Sequence, residues 1–296
     1  MILNRLNSTN LKIIALVIMT IDHIAAYGNN IFSFLPYDIL RSIGRSAAPL
    51  FMFALVIGAG HTKSKGKFLL RLYIASLIIF AAWAVLFLSF GGYFASMPSV
   101  LSTYLYVLIY GFGLEKTISE LKKRKPAALL YLAALAAVTV LPVLFFDRAY
   151  GYFAGMITGE PTERNAVLSV LWEFLRTVIP NVKNVDYSAY FVLMGVMWYF
   201  VKNKYACAGI LVLFSAFSWF GTYGWVMIER FDFLSDFMRL YYPLDFFAQG
   251  QFYMVFAALF ILLYNGQRGK GLKWFFYGYY PLHVFVISAV NNLITS

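Results

Sequence analysis

A single cysteine, Cys207, leaves this chain without an internal disulfide framework or a cysteine-rich metal site. Charge is equally scarce: 12% of the 296 residues are Asp, Glu, Lys or Arg, where a soluble domain carries about 25%. So few charges cannot cover a water-facing surface. Histidine occurs three times, at His23, His61 and His283. The sequence contains no nucleotide phosphate loop, no metal-ligand cluster and no serine-hydrolase elbow. It also lacks internal repeats and low-complexity tracts, and no short apolar segment ends in a small-residue cleavage site, so no removable signal peptide is expected.

What fills the chain is apolar. Hydrophobic residues make up 61% and aromatics 20%, and apolar runs of about twenty residues recur. The expectation is an all-α polytopic membrane protein with about nine transmembrane helices. They fall near 11–29, 44–61, 69–90, 99–114, 126–146, 187–201, 206–225, 247–264 and 274–294. A net charge of +11 would suggest nucleic acid in a soluble protein; here it reads as orientation. With the N-terminus in the cytoplasm, 16 of the 24 basic residues lie in inner segments, as do only Glu115 and Glu120 of the 13 acids. That bias predicts an N-in, C-out arrangement and gives no reason to expect nucleic acid as a partner. Residues 1–296 read as a single integral domain with external irregular segments at about 147–186 and 226–246. The first contains VLSVLWEFLRTVI, whose helical apolar spacing leaves Glu173 and Arg176 on a polar side, as in a helix lying in the interface.

The stretch LKIIALVIMTIDHIAAYG starts as an ordinary membrane helix and then places Asp22 beside His23. From Lys12 to His23 is eleven steps, which at 100° per residue is three turns plus roughly 20°, so both side chains share one helix face. The rise is roughly 16 Å, from the inner boundary to about mid-membrane. Near the other end, Lys273 marks a boundary and His283 follows ten residues later, about 15 Å deep. Pro281 is placed to kink that helix. Two histidines therefore reach similar depth from different helices. Ionisable residues at that depth are costly and mark function. Histidine titrates near neutrality, which suits a general base.

A second cluster is RSIGRSAAPLFMFALVIGAGHTKSKGKFLLRL. Arg41 and Arg45 share a face at its outer start. His61, Lys63, Lys65, Lys67 and Arg71 gather at its inner end. The basic end reads either as positive-inside charge alone or as a docking site for an anionic, phosphate-bearing molecule.

LKIIALVIMTIDHI, the cluster just quoted, QFYMVFAALFILLYNGQRG and KWFFYGYYPLHVFVI, in that order, resemble the TraX family, named for the conjugation protein that acetylates the N-terminus of F-type pilin. More distantly, Lys12 and His23 on the first helix, PLFMFALVIGAG and the basic stretch after it are similar to the acyltransferase three family of membrane O-acetyltransferases. These resemblances imply an acetyl-CoA-dependent membrane acyltransferase, with acetyl-CoA as co-substrate, no metal, and an acceptor on the far side of a bacterial cytoplasmic (inner) membrane. His23 would lie near the thioester, as general base or transient acetyl carrier, with Asp22 orienting or polarising it. Tyr280 and His283 would line the same cavity. Arg45 would stabilise the oxyanion or pair with Asp38 or Asp22. Lys12, His61, Lys63, Lys65, Lys67 and Arg71 would meet the phosphates of the donor. The acceptor by resemblance is the N-terminal amine of a pilin-like peptide, with a glycan or lipid hydroxyl second. Two competing functions are a proton-coupled transporter using the buried Asp-His pair and a non-catalytic scaffold of a pilus or secretion assembly.

Overall fold

A computed structural model describes residues 5–28, 36–89, 100–157, 163–219 and 248–295. Among these the chain is nearly all helical and contains no strand, only an isolated bridge between Leu6 and Tyr264. The helices are α1 (Ser8–Tyr27), α2 (Tyr37–Gly44), α3 (Ala47–Gly60), α4 (Lys65–Ser89), α5 (Val100–Lys122), α6 (Ala127–Ile157), α7 (Glu163–Val178), α8 (Ser188–Val201), α9 (Lys204–Trp219), α10 (Ala257–Leu262) and α11 (Lys273–Thr295). Short 3₁₀ stretches cover Val182–Asn184 and Ala248–Phe256.

Four stretches among the described residues are long and apolar enough to cross a membrane: Ser8–Tyr27, Tyr37–Gly60, Lys65–Ser89 and Ala127–Tyr150. At 1.5 Å per residue even the shortest reaches about 30 Å, the thickness of a hydrocarbon core. Ala127–Tyr150 leaves Leu129, Leu130 and Leu141 more than 60% exposed. A stripe of bare leucine is unstable against water and stable against lipid. This is the surface of a helical membrane protein.

The elements differ from the sequence expectation in instructive ways. The span expected at 44–61 is α3, preceded by a turn at Arg45 and Ser46 and then by α2; α2 and α3 together form a 24-residue apolar stretch, Tyr37–Gly60. α5 continues beyond 114 to Lys122, and α6 continues through Pro142 to Ile157, into the segment expected to be irregular. One proline removes one helical hydrogen bond, and the apolar run VLFF beyond it keeps the helix going. The helix expected within 147–186 is present as α7, with Glu173 and Arg176 paired at 2.7 Å. The second expected external segment, 226–246, lies outside the described residues.

The chain divides into two compact units: residues 1–61 with 193–296, and residues 62–192, the division falling inside α8. In the first, α1 packs against α2, α3 and α11, while α9 packs on α10 and the 3₁₀ stretch before it, and α10 on α3. Leu11, Leu50, Met52, Met194, Trp198, Leu211 and Met254 are sealed from the surroundings there. In the second, α5 lies on α6, and α4 and α6 both pack against α7. Tyr73 and Tyr106 tie down the end of α7 by donating hydroxyl hydrogen bonds to the carbonyls of Val178 (2.9 Å) and Pro180 (2.7 Å).

Candidate functional site

α1 begins where Asn7 accepts a hydrogen bond from the Asn10 backbone N–H (2.9 Å), and it ends where Gly28 N–H reaches Ile24 O (2.9 Å). The 3.6-residue period then sorts its side chains. Leu11, Ala15, Ile18 and Asp22 run down one stripe; Lys12, Leu16, Thr20 and His23 run down the next. The second stripe meets α11: the Thr20 hydroxyl lies 2.8 Å from the Tyr279 hydroxyl, and His23 Nδ1 lies 2.7 Å from His283 Nε2. α11 stays helical through Pro281, which keeps Tyr279 and His283 one turn apart on the same face.

The two imidazoles lie within 6° of a common plane with centroids 4.9 Å apart. With nitrogens 2.7 Å apart, that geometry is an edge-to-edge hydrogen bond, not a face stack. Its direction can be assigned. His283 Nδ1 lies 2.9 Å from Tyr279 O, and a carbonyl only accepts, so Nδ1 carries the proton. In a neutral imidazole the other nitrogen, Nε2, is then an acceptor. His23 must therefore donate from Nδ1, which leaves His23 Nε2 as a bare lone pair. One backbone carbonyl thus sets the tautomer of two histidines in series. The rings of Tyr27 (5.4 Å), Tyr279 (5.1 Å from His283) and Tyr280 (5.9 Å from His283) enclose the pair.

Asp22 points elsewhere. Neighbouring residues on a helix diverge by 100°, and Asp22 Oδ2 lies 4.0 Å from His23 Nε2 but 2.6 Å from Arg41 Nη1. Arg45 is within electrostatic reach of the same carboxylate. Asp22 Oδ1 is buried, without a hydrogen-bond partner among the described residues. It lies against Gly44, where an added Cβ would overlap Oδ1, Cβ and Cγ of Asp22. Glycine at 44 is what lets α2 come close enough for Arg41 to reach Asp22. Gly44→Ala should therefore lower stability by about 1–3 kcal/mol as the two helices are forced apart, measured by thermal unfolding in detergent.

The other anticipated residues fall in two places. Lys12 is half-buried on α1, near Arg268. His61 is exposed at the end of α3, the last residue of its stretch of the first unit. Lys63, Lys65, Lys67 and Arg71 belong to the second unit. There Lys65 pairs with Glu115 at 2.7 Å, and Arg71 turns Nε back to Lys67 O at 3.1 Å. Asp38 is exposed in the first turn of α2. No group of three or more His, Cys, Asp or Glu able to hold a metal ion occurs among the described residues. Sequence reasoning gave no role to Tyr279, Thr20 or Arg41. The signals were there for two of them: Tyr279 is one helical turn before His283, and Thr20 almost one turn before His23.

Residues 7–146 match the family model described as TraX protein. No curated protein and no solved structure matches the chain. The match takes in Asp22, His23, Arg41, Arg45 and the basic run to Arg71, and stops short of α11 with His283. Over residues 7–146, just under half of its length, the chain is similar to the TraX family.

Proposed function

We propose that this protein is a transmembrane acetyltransferase, moving an acetyl group from acetyl-CoA on the cytoplasmic side to an acceptor at the outer side of a bacterial cytoplasmic membrane. The observation that carries the proposal is the relay from Tyr279 O through His283 to His23, which leaves His23 Nε2 unprotonated and pre-oriented. A base whose tautomer is held by a second group is the arrangement that activates nucleophiles for acyl transfer. Here His283 occupies the orienting place that the sequence had suggested for Asp22. His23 Nε2 takes the proton of the acceptor amine or hydroxyl as the acceptor attacks the thioester carbonyl. The C–S bond breaks, and His23 returns the proton to the departing thiolate. While His23 is protonated, its Nδ1–H still donates to His283 Nε2, so the imidazolium keeps a partner at mid-membrane depth. Arg41 and Arg45, around Asp22, supply positive charge for the oxyanion. An N-terminal amine of a pilin-like peptide is the first-choice acceptor, a glycan or lipid hydroxyl the second.

The proposal includes nine spans with the N-terminus inside and the C-terminus outside, supported by the lopsided basic residues. Cysteines placed at residues 268 and 270 should react with an impermeant thiol reagent only from the cytoplasmic side; labelling from outside contradicts this topology. For the activity, purified protein in nanodiscs should release thiol from acetyl-CoA when a peptide with a free N-terminal amine is supplied. A transporter or a scaffold releases none.

A further inference from the structure

We propose that the Ser8 end of α1 and the loop 265–271 form a phosphate-ester site that holds the nucleotide end of the acyl-CoA donor, with Lys12, Arg268 and Lys270 as its cations. This inference rests on the acetyl-transfer reading and places the donor within the first unit alone.

The loop NGQRGKG is strapped onto the segment that begins α1. Leu6 N–H donates to Leu263 O (3.0 Å), Asn265 N–H to Leu6 O (2.8 Å) and Ser8 N–H to Gln267 O (2.8 Å). The Thr9 hydroxyl lies 3.1 Å from Arg268 O and 2.5 Å from Lys270 O. Gly269 takes φ +75°, and a Cβ there would overlap the side-chain oxygens of Asn7 and Thr9. Such a close backbone approach requires glycine. Lys204 fastens the start of the loop by donating Nζ to Leu262 O (2.8 Å) and Tyr264 O (2.7 Å). The backbone is thus held while the side chains of Arg268 and Lys270 stand exposed.

Lys12 follows Thr9 by three residues and is half-buried with Arg268 close enough to repel it. The described residues of this unit contain only two carboxylates, Asp22 and Asp38. Asp22 is ten residues from Lys12, about 15 Å along α1, and Asp38 lies further on in α2. Cations held together on a fixed backbone, with no acid near them among the described residues, call for an external anion. The feature is not a bare helix N-terminus, since Asn10 N–H and Ser8 N–H already have acceptors. The stripe from Lys12 to His23 then gives the direction: phosphates at Lys12, and a pantetheine arm running roughly 16 Å along α1 to the imidazole.

The shared chemistry is a phosphate ester, which a lipid headgroup also carries. CoA binding should therefore be measured in nanodiscs of phosphatidylcholine alone, and phosphatidylglycerol retention in mixed nanodiscs. Three proteins are compared: wild type, Arg268→Gln with Lys270→Gln, and Lys63→Gln with Arg71→Gln. The loop variant should raise the CoA Kd about tenfold and flatten its salt dependence, with melting temperature kept because both side chains are exposed. Thr9→Val, which keeps every charge but releases the loop, should also weaken CoA binding. Unchanged CoA affinity in the loop variant, with loss of phosphatidylglycerol, overturns the proposal in favour of a lipid headgroup. Loss of CoA binding only in the Lys63 and Arg71 variant moves the site to the second unit and also overturns it. A wild-type protein that binds no CoA ends the acetyl-transfer reading and this site together.

Discussion

His283→Ala should reduce acetyl transfer about as far as His23→Ala, and the double variant should lose no more than either. His283 Nε2 accepts the proton on His23 Nδ1, and Tyr279 O fixes that direction. Without His283, His23 is free to take the other tautomer, with its lone pair turned away from the acceptor. A positioned general base contributes about 10²–10⁴-fold to rate. Residues acting as one unit show strongly non-additive losses. His283→Gln, whose side-chain carbonyl also accepts from Nδ1–H, should recover part of the activity. The measurement is kcat for acetylated peptide, with melting temperature as the folding control. A wall residue that merely lines the cavity would give a smaller loss, additive with His23→Ala and indifferent to glutamine.

Arg41→Met should destabilise the first unit by about 2–4 kcal/mol. It removes the Nη1 donor 2.6 Å from Asp22 Oδ2 and leaves a carboxylate whose other oxygen already has no hydrogen-bond partner among the described residues. The figure is set below that for a sealed pair because Arg41 and Asp22 keep 20% and 13% of their side-chain surface exposed. Asp22→Asn alone should cost less, since a long guanidinium side chain can swing to the headgroups. Asp22→Asn added to Arg41→Met should restore most of the loss, because the side chain left without its Nη1 donor is then neutral. Thermal unfolding of the four proteins in one detergent checks this; simple additivity of the two changes argues against the pair.

How much of this was legible follows from which distances are local. Lys12 and His23 on one face, and His23 and His283 at one depth, follow from helical period and rise alone, because each histidine has a boundary cation on its own helix. The partnership of the two rings needed the packing of α11 on α1, across 260 positions of sequence. The divergence of Asp22 from His23 was readable, since adjacent residues cannot share a helix face; its destination, Arg41, depended on α2 ending at Gly44 and on Gly44 admitting the carboxylate. The strap of loop 265–271 over α1 was invisible for the same reason as the histidine pair. Its glycines announced a turn, while its place came from backbone bonds to Leu6 and Ser8, more than 250 residues away.

The most direct test of acetyl transfer by His23 is the rate at which purified wild-type protein and His23→Ala, in the same nanodiscs, convert acetyl-CoA and an N-terminal amine peptide to free thiol and acetylated peptide. Wild type should form both products in equal amounts, and His23→Ala, with an unchanged melting temperature, should fall by about 10²–10⁴-fold. Equal rates from the two proteins, or no thiol release from wild type, would contradict it.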